Sequence, residues 1–137
     1  MTHLLGQPPS VLVTDDTAAV RDVVARVLAG EGYTVETAAH GAEALARAQQ
    51  RLFDLYLVDV VMPSMTGQEL ARLIRRYHPS AKELYVTAFS PRLFETTPVL
   101  PDNEAFLQKP FSPQDLREAV SLLLFGHLRG LNATGAG

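Results

Sequence analysis

Four short apolar runs constrain this chain more than anything else in it, because each ends in residues that can do chemistry. Val11-Leu12-Val13-Thr14 is closed by Asp15 and Asp16, and Leu55-Tyr56-Leu57-Val58 by Asp59. Two further runs end in Thr87 and in Lys109-Pro110. Runs this short, alternating with segments of helical spacing, are the pattern of βαβ units around a parallel sheet. In an open sheet of that kind the strand ends converge on one edge, where ligands bind. The sequence thereby directs three carboxylates, one hydroxyl and one ammonium to a single crevice.

The intervening segments fit this frame. Val20, Val23, Val24, Val27 and Leu28 share one helical face, and Gly30 and Gly32 stop that helix. Tyr33 to Thr37 reads as a second strand, and Gly41 to Gln50 as an alanine-rich helix packing closely on the sheet. Leu70, Leu73, Ile74 and Tyr77 form the inner face of a third helix, ended by His78-Pro79. Leu84 to Thr87 and Glu104 to Gln108 are the last strands. Between them, Pro91, Pro98 and Pro101 leave room only for a short or irregular fourth helix over 89–103, with Phe94, Val99 and Leu100 as its anchors. The final helix has a clear start: Ser112 as N-cap, Pro113 at the first position and Asp115 to complete a capping box. Its buried stripe is Leu116, Val120, Leu123 and Leu124. The expected organisation is one domain over residues 10–126, with a flexible N-terminal segment (1–9) and a flexible C-terminal tail (127–137).

Composition narrows the function. The 137 residues suit one domain, and 47% hydrophobic content can fill one core. A net charge of -3 gives no electrostatic case for nucleic acid. The absence of cysteine excludes disulfides and thiolate metal sites. Met1 to Ser10 is not a secretory signal, and no apolar stretch approaches a membrane span, so a cytoplasmic location is expected.

A carboxylate can attack phosphorus and hold the group as an acyl phosphate. A bare cluster of aspartates would repel that anionic group, and a hard divalent cation such as Mg²⁺ removes the repulsion. Asp15, Asp16 and Asp59 can ligate it. Asp59, alone at its strand end, is the candidate nucleophile, and the adjacent pair Asp15-Asp16 is better placed to hold the metal. Lys109 can pair with one phosphoryl oxygen and Thr87 can donate to another. Each residue has a plainer reading when taken singly. An aspartate after a strand is commonly a cap or turn former, and Asp16 can partly cap the first helix. Phe106 alone is edge packing as readily as anything else. His3, His40, His78 and His127 are scattered and read as surface residues, not ligands. Met62-Pro63 and Gly67 shape the loop into the third helix.

Taken together, the fragments Val11 to Asp16, Leu57-Val58-Asp59-Val60-Val61-Met62-Pro63-Ser64-Met65-Thr66-Gly67, Val86-Thr87-Ala88 and Phe106-Leu107-Gln108-Lys109-Pro110-Phe111 resemble the receiver domains of two-component response regulators. The resemblance runs from about Ser10 to Leu124. It implies a flavodoxin-like (βα)5 domain with strand order 2-1-3-4-5. It implies that Asp59 accepts phosphate from the phosphohistidine of a histidine kinase or histidine phosphotransfer protein. It further implies Mg²⁺ held by Asp15, Asp16, Asp59 and the Val61 carbonyl, a switch pair Thr87 and Phe106, and a cis Lys109-Pro110 peptide. A downstream protein partner is expected, and the charge balance and the lack of a long apolar stretch predict no direct nucleic-acid or membrane contact. The chain departs from the family at Pro98 to Asn103, where it is similar to receivers fused to hybrid sensor kinases. That departure leaves the usual output face, helix four to helix five, open.

Other functions remain as alternatives. An aspartate-nucleophile phosphatase would carry a second acid two residues after the nucleophile, where Val61 stands. A receiver signalling only by protein contacts would have lost an acid, the threonine or the lysine, and none is missing. A dinucleotide-binding domain would show Gly-x-Gly-x-x-Gly where Asp15-Asp16 stands.

Overall fold

The computed structural model describes residues 7–88 and 103–126. Five strands, β1 (Ser10–Thr14), β2 (Thr34–Ala38), β3 (Leu55–Asp59), β4 (Glu83–Thr87) and β5 (Glu104–Gln108), form one parallel sheet in the order β2-β1-β3-β4-β5. Strands β3 and β4 are buried throughout and β1 in all but its first residue, whereas β2 and β5 are edges and largely half-exposed. A strand covered on both faces favours apolar residues on both of them, which is why the middles of the central strands are uninterrupted apolar runs. The chain leaves β1 outward to β2 and returns on the other side as β3. The direction of winding therefore reverses between β1 and β3, and Asp15 and Asp59 flank that point.

Four helices were found among the described residues: α1 (Ala18–Gly30), α2 (Gly41–Gln50), α3 (Gly67–Tyr77) and α4 (Pro113–Phe125). Val11, Val13, Leu55, Leu57, Leu84 and Val86 pack with α1 and α4 on one face. Leu12, Tyr56, Val58 and Tyr85 pack with α2 and α3 on the other. The two sets interleave along each strand, as the pleat requires. Ala44 and Ala48 bring α2 close to the sheet, as its composition suggested. The Ser112–Asp115 capping box and Pro113 open α4 as expected, and Gly126 closes it at φ 78°. Residues 89–102, which hold most of the expected irregular helix and the anchors Phe94, Val99 and Leu100, lie outside the described residues. So do 1–6 and the tail 127–137.

Three helix faces differ from the sequence expectation. Val23 is 52% exposed, and the buried residues of α1 are Val24 and Leu28. Successive residues are about 100° apart on a helix, and α1 is rotated so that Val24 points at the sheet and Val23 lies at the edge of the apolar stripe. Tyr77 is 50% exposed, and its hydroxyl accepts a hydrogen bond from Gln49 of α2 at 2.8 Å. In α4, Ser121 is buried while Leu124 is half-buried. His78 is likewise half-buried at the end of α3, edge-on to Tyr56, and its burial lowers its pKa.

The far end of β4 carries a buried charge. Glu83 accepts a hydrogen bond from Tyr85 at 3.2 Å and pairs with Arg75 of α3, which also reaches Glu104 of β5 at 3.0 Å. Removal from water pushes the Glu83 carboxyl up to about 7 against the opposing pull of Arg75, and Glu104 adds to the rise. The folded state thus holds this proton more tightly than an ordinary carboxyl at 4.5 would. Stability from this group should fall as pH climbs from 4.5 to about 7 and stay level above. Thermal unfolding across that window should show a shallower decline for Glu83→Gln than for the wild type. Equal slopes would refute the assignment.

Candidate functional site

The carboxylates of Asp15, Asp16 and Asp59 offer oxygens that all lie within 4.8 Å of one another. Asp15 follows β1 and is 1% exposed; Asp59 ends β3 and is 6% exposed; Asp16 faces outward. Asp15 is the better tethered of the adjacent pair. Its Oδ1 accepts from the Thr17 amide at 2.9 Å, and its own carbonyl accepts from Arg21 of α1 at 2.8 Å. Asp16 therefore does not cap α1. Thr17 occupies the N-cap position without a side-chain bond, and the local turn is made by the Asp15 carboxylate.

Lys109 enters from the loop after β5. Its Nζ lies 3.2 Å from Asp15 Oδ2 and 3.8 Å from Asp59 Oδ2, so it bridges the two buried acids. Its amide donates to the Thr87 carbonyl at 2.7 Å, and the Val60 amide to the Val86 carbonyl at 2.9 Å. These bonds brace the ends of β3, β4 and β5 against each other. Lys109-Pro110 is cis. Thr87 is buried at the end of β4. Val61 is exposed, and its amide donates to Asp59 Oδ1 at 3.3 Å. Phe106 stands further back: its register partner is Tyr85, while Thr87 pairs with Gln108. The structure thus gathers Asp15, Asp16, Asp59 and Lys109 directly, with Thr87 and Val61 at the rim and Phe106 half-buried behind them.

Burial, the neighbouring Asp15 and, less, Asp16 push the Asp59 carboxyl up to about 6, while Lys109 and the Val61 amide pull it down. One ammonium cannot balance three carboxylates, and the donor set is all hard oxygen. That combination fits a divalent cation of the Mg²⁺ type. Beside Lys109, a groove of about 580 Å³ runs along α1, lined by Val20, Val23, Ala88, Pro110 and Phe111 among others. Val23, turned away from the sheet, forms part of its wall.

Close packing sets the position of Asp59. The Gly67 amide donates to the Val60 carbonyl at 2.9 Å, and a Cβ on Gly67 would sit 2.5 Å from the Asp59 carbonyl oxygen. The Thr66–Glu69 capping box fixes the start of α3 at this contact. Sequence reading passed over that box, although Thr-x-x-Glu before an apolar helix face is its usual signature. Gly67→Ala should cost about 1–3 kcal/mol, the range for overpacking. Urea denaturation gives the value, and an unchanged midpoint would show that the backbone yields freely.

Comparison with known proteins identifies the family of this fold. The response regulator receiver domain family matches residues 11–121. Sensor kinase CckA of Brucella abortus (strain 2308) is 37% identical over 125 residues, which is 90% of this chain and 13% of the kinase. Response regulator receiver protein CpdR of the same strain is 32% identical over 114 residues, covering 83% of this chain and 95% of CpdR. Response regulator protein TrrA of Thermotoga maritima, solved in complex with Mg²⁺-BeF, aligns with a TM-score of 0.73 at 32% identity over 85% of this chain and 99% of its own.

Proposed function

This chain belongs to the response regulator receiver domain family of two-component systems, and on that premise we propose that Asp59 is its phosphoryl acceptor. Receiver domains are signalling modules and not enzymes that turn over a substrate. One observation carries the residue assignment: Asp59, at the end of β3, shares Lys109 with Asp15 inside a cluster of three carboxylates. An oxygen of the Asp59 carboxylate attacks phosphorus, the bond from phosphorus to a histidine nitrogen breaks, and the imidazole leaves with that electron pair. The product is an acyl phosphate on Asp59.

Positioning and charge neutralisation dominate such a transfer. Lys109 pairs with a phosphoryl oxygen, and the Thr87 hydroxyl donates to another. Asp15, Asp16 and Asp59, with the Val61 carbonyl, would hold Mg²⁺, which supplies the positive charge that lets an anion approach. The phosphodonor is a histidine kinase or histidine phosphotransfer protein, and the apolar groove continuous with Lys109 supports its approach along α1. Phosphorylation draws Thr87 toward the site and lets Phe106 turn inward. The added charge and acceptor oxygens supply the differential contacts that a switch needs. No helix among the described residues is long and apolar enough to cross a membrane, and the reading places this module in the cytoplasm.

Incubation with a small phosphodonor and Mg²⁺ should add one phosphate to the wild type and none to Asp59→Asn, read by intact mass. Equal incorporation would remove Asp59 from its role. Mg²⁺ should also stabilise the fold by about 1.4 kcal/mol at tenfold over its Kd. Asp16→Ala should abolish most of the shift in Tm; a shift of full size in that variant would place the ion elsewhere.

A further inference from the structure

One face of the β4–β5 pair forms a ladder whose first two rungs the phosphoryl chemistry does not use. Alternate residues of parallel strands point the same way, and the register pairs Glu83 with Glu104, Tyr85 with Phe106, and Thr87 with Gln108. The first rung is charged and tied to α3 through Arg75. The middle rung is aromatic, with ring centroids 5.2 Å apart and a tilt of 34°. The last rung reaches the site. Tyr85 is 3% exposed, and its hydroxyl donates to Glu83, 3.2 Å away and itself fully buried.

We propose that Tyr85 is the positioning residue for Phe106. Its ring, anchored through Glu83 and Arg75 to α3, holds Phe106 in the half-exposed orientation and so sets how readily the switch is thrown. This rests on the reading of Thr87 and Phe106 as the switch pair. Phe106 has no hydroxyl with which to fix itself. The polar anchor sits one strand away, on a residue in register with it. An inward turn of Phe106 must slide along or leave the Tyr85 ring, so a tethered ring favours the unswitched state. A ligand that binds the switched state then gains apparent affinity when the tether is cut, by the population it no longer has to shift.

The probe is beryllofluoride with Mg²⁺, titrated into the full chain and followed by NMR of the Phe106 ring. Tyr85→Phe keeps the ring and loses only the tether. Its apparent Kd should fall about threefold to tenfold, the size of one hydrogen bond's net contribution. Tyr85→Leu, which removes the stack as well, should fall further, and both should shift the Phe106 signal before any ligand is added. A merely structural role would lower Tm and leave the affinity unchanged. Unchanged or weakened affinity in both variants overturns the proposal while leaving the switch reading intact. A wild-type Phe106 signal that does not respond to beryllofluoride overturns the switch reading, and this inference with it.

Discussion

Two carboxylates buried at the ends of neighbouring strands repel each other, and the arrangement of this domain answers that repulsion. Asp15 and Asp59 stand where the winding of the sheet reverses, nearly excluded from water. Lys109 lies between them, and backbone amides of Thr17 and Val61 each take one carboxylate oxygen. These contacts reduce the cost without cancelling it, as the elevated Asp59 carboxyl shows. What is left over is an unmet demand for positive charge at one point. A domain built in this way is poised to respond to whatever changes the charge there.

The elements around the site transmit as well as support. The loop amide of Lys109 ties β5 to the end of β4, and Gly67 seats α3 against the carbonyl of Asp59. Behind the site, Arg75 connects the same helix to the opposite ends of β4 and β5. Helix α3 is thus fastened to the sheet at both of its ends, once beside the acids and once beside the buried Glu83.

The strands and the acidic cluster were legible because their physical cause is local. A central parallel strand favours apolar residues on both faces, so β1, β3 and β4 show themselves as apolar runs, and the residue that ends each run is the residue at the sheet edge. The start of α4 was legible for a similar reason, since a capping box is written within four residues. Features that need a distant partner were not. The apolar run starts at Leu84, whereas the strand begins one residue earlier at Glu83, whose buried carboxyl is held by Arg75 and Tyr85. Its ion pair joins β4 to α3, a contact that the local run does not carry. Spacing alone places Val23 and Tyr77 inward, whereas the orientation of each helix leaves both outside. The direct bond between Lys109 and Asp15 joins residues 94 positions apart and has no local signature.

That separation has a consequence for how the protein comes to be competent. Asp15 follows the first strand and Lys109 the last, and β3 and β4 separate those two strands in the sheet. Contacts this distant in sequence are slow to form, because loop closure must precede the contacts that reward it. On a growing chain the acids emerge first and stay without their counter-charge until β5 docks beside β4. The pocket is consequently an attribute of the completed sheet and of no fragment of it. A partly unfolded copy carries every aspartate and still lacks the assembled acidic site.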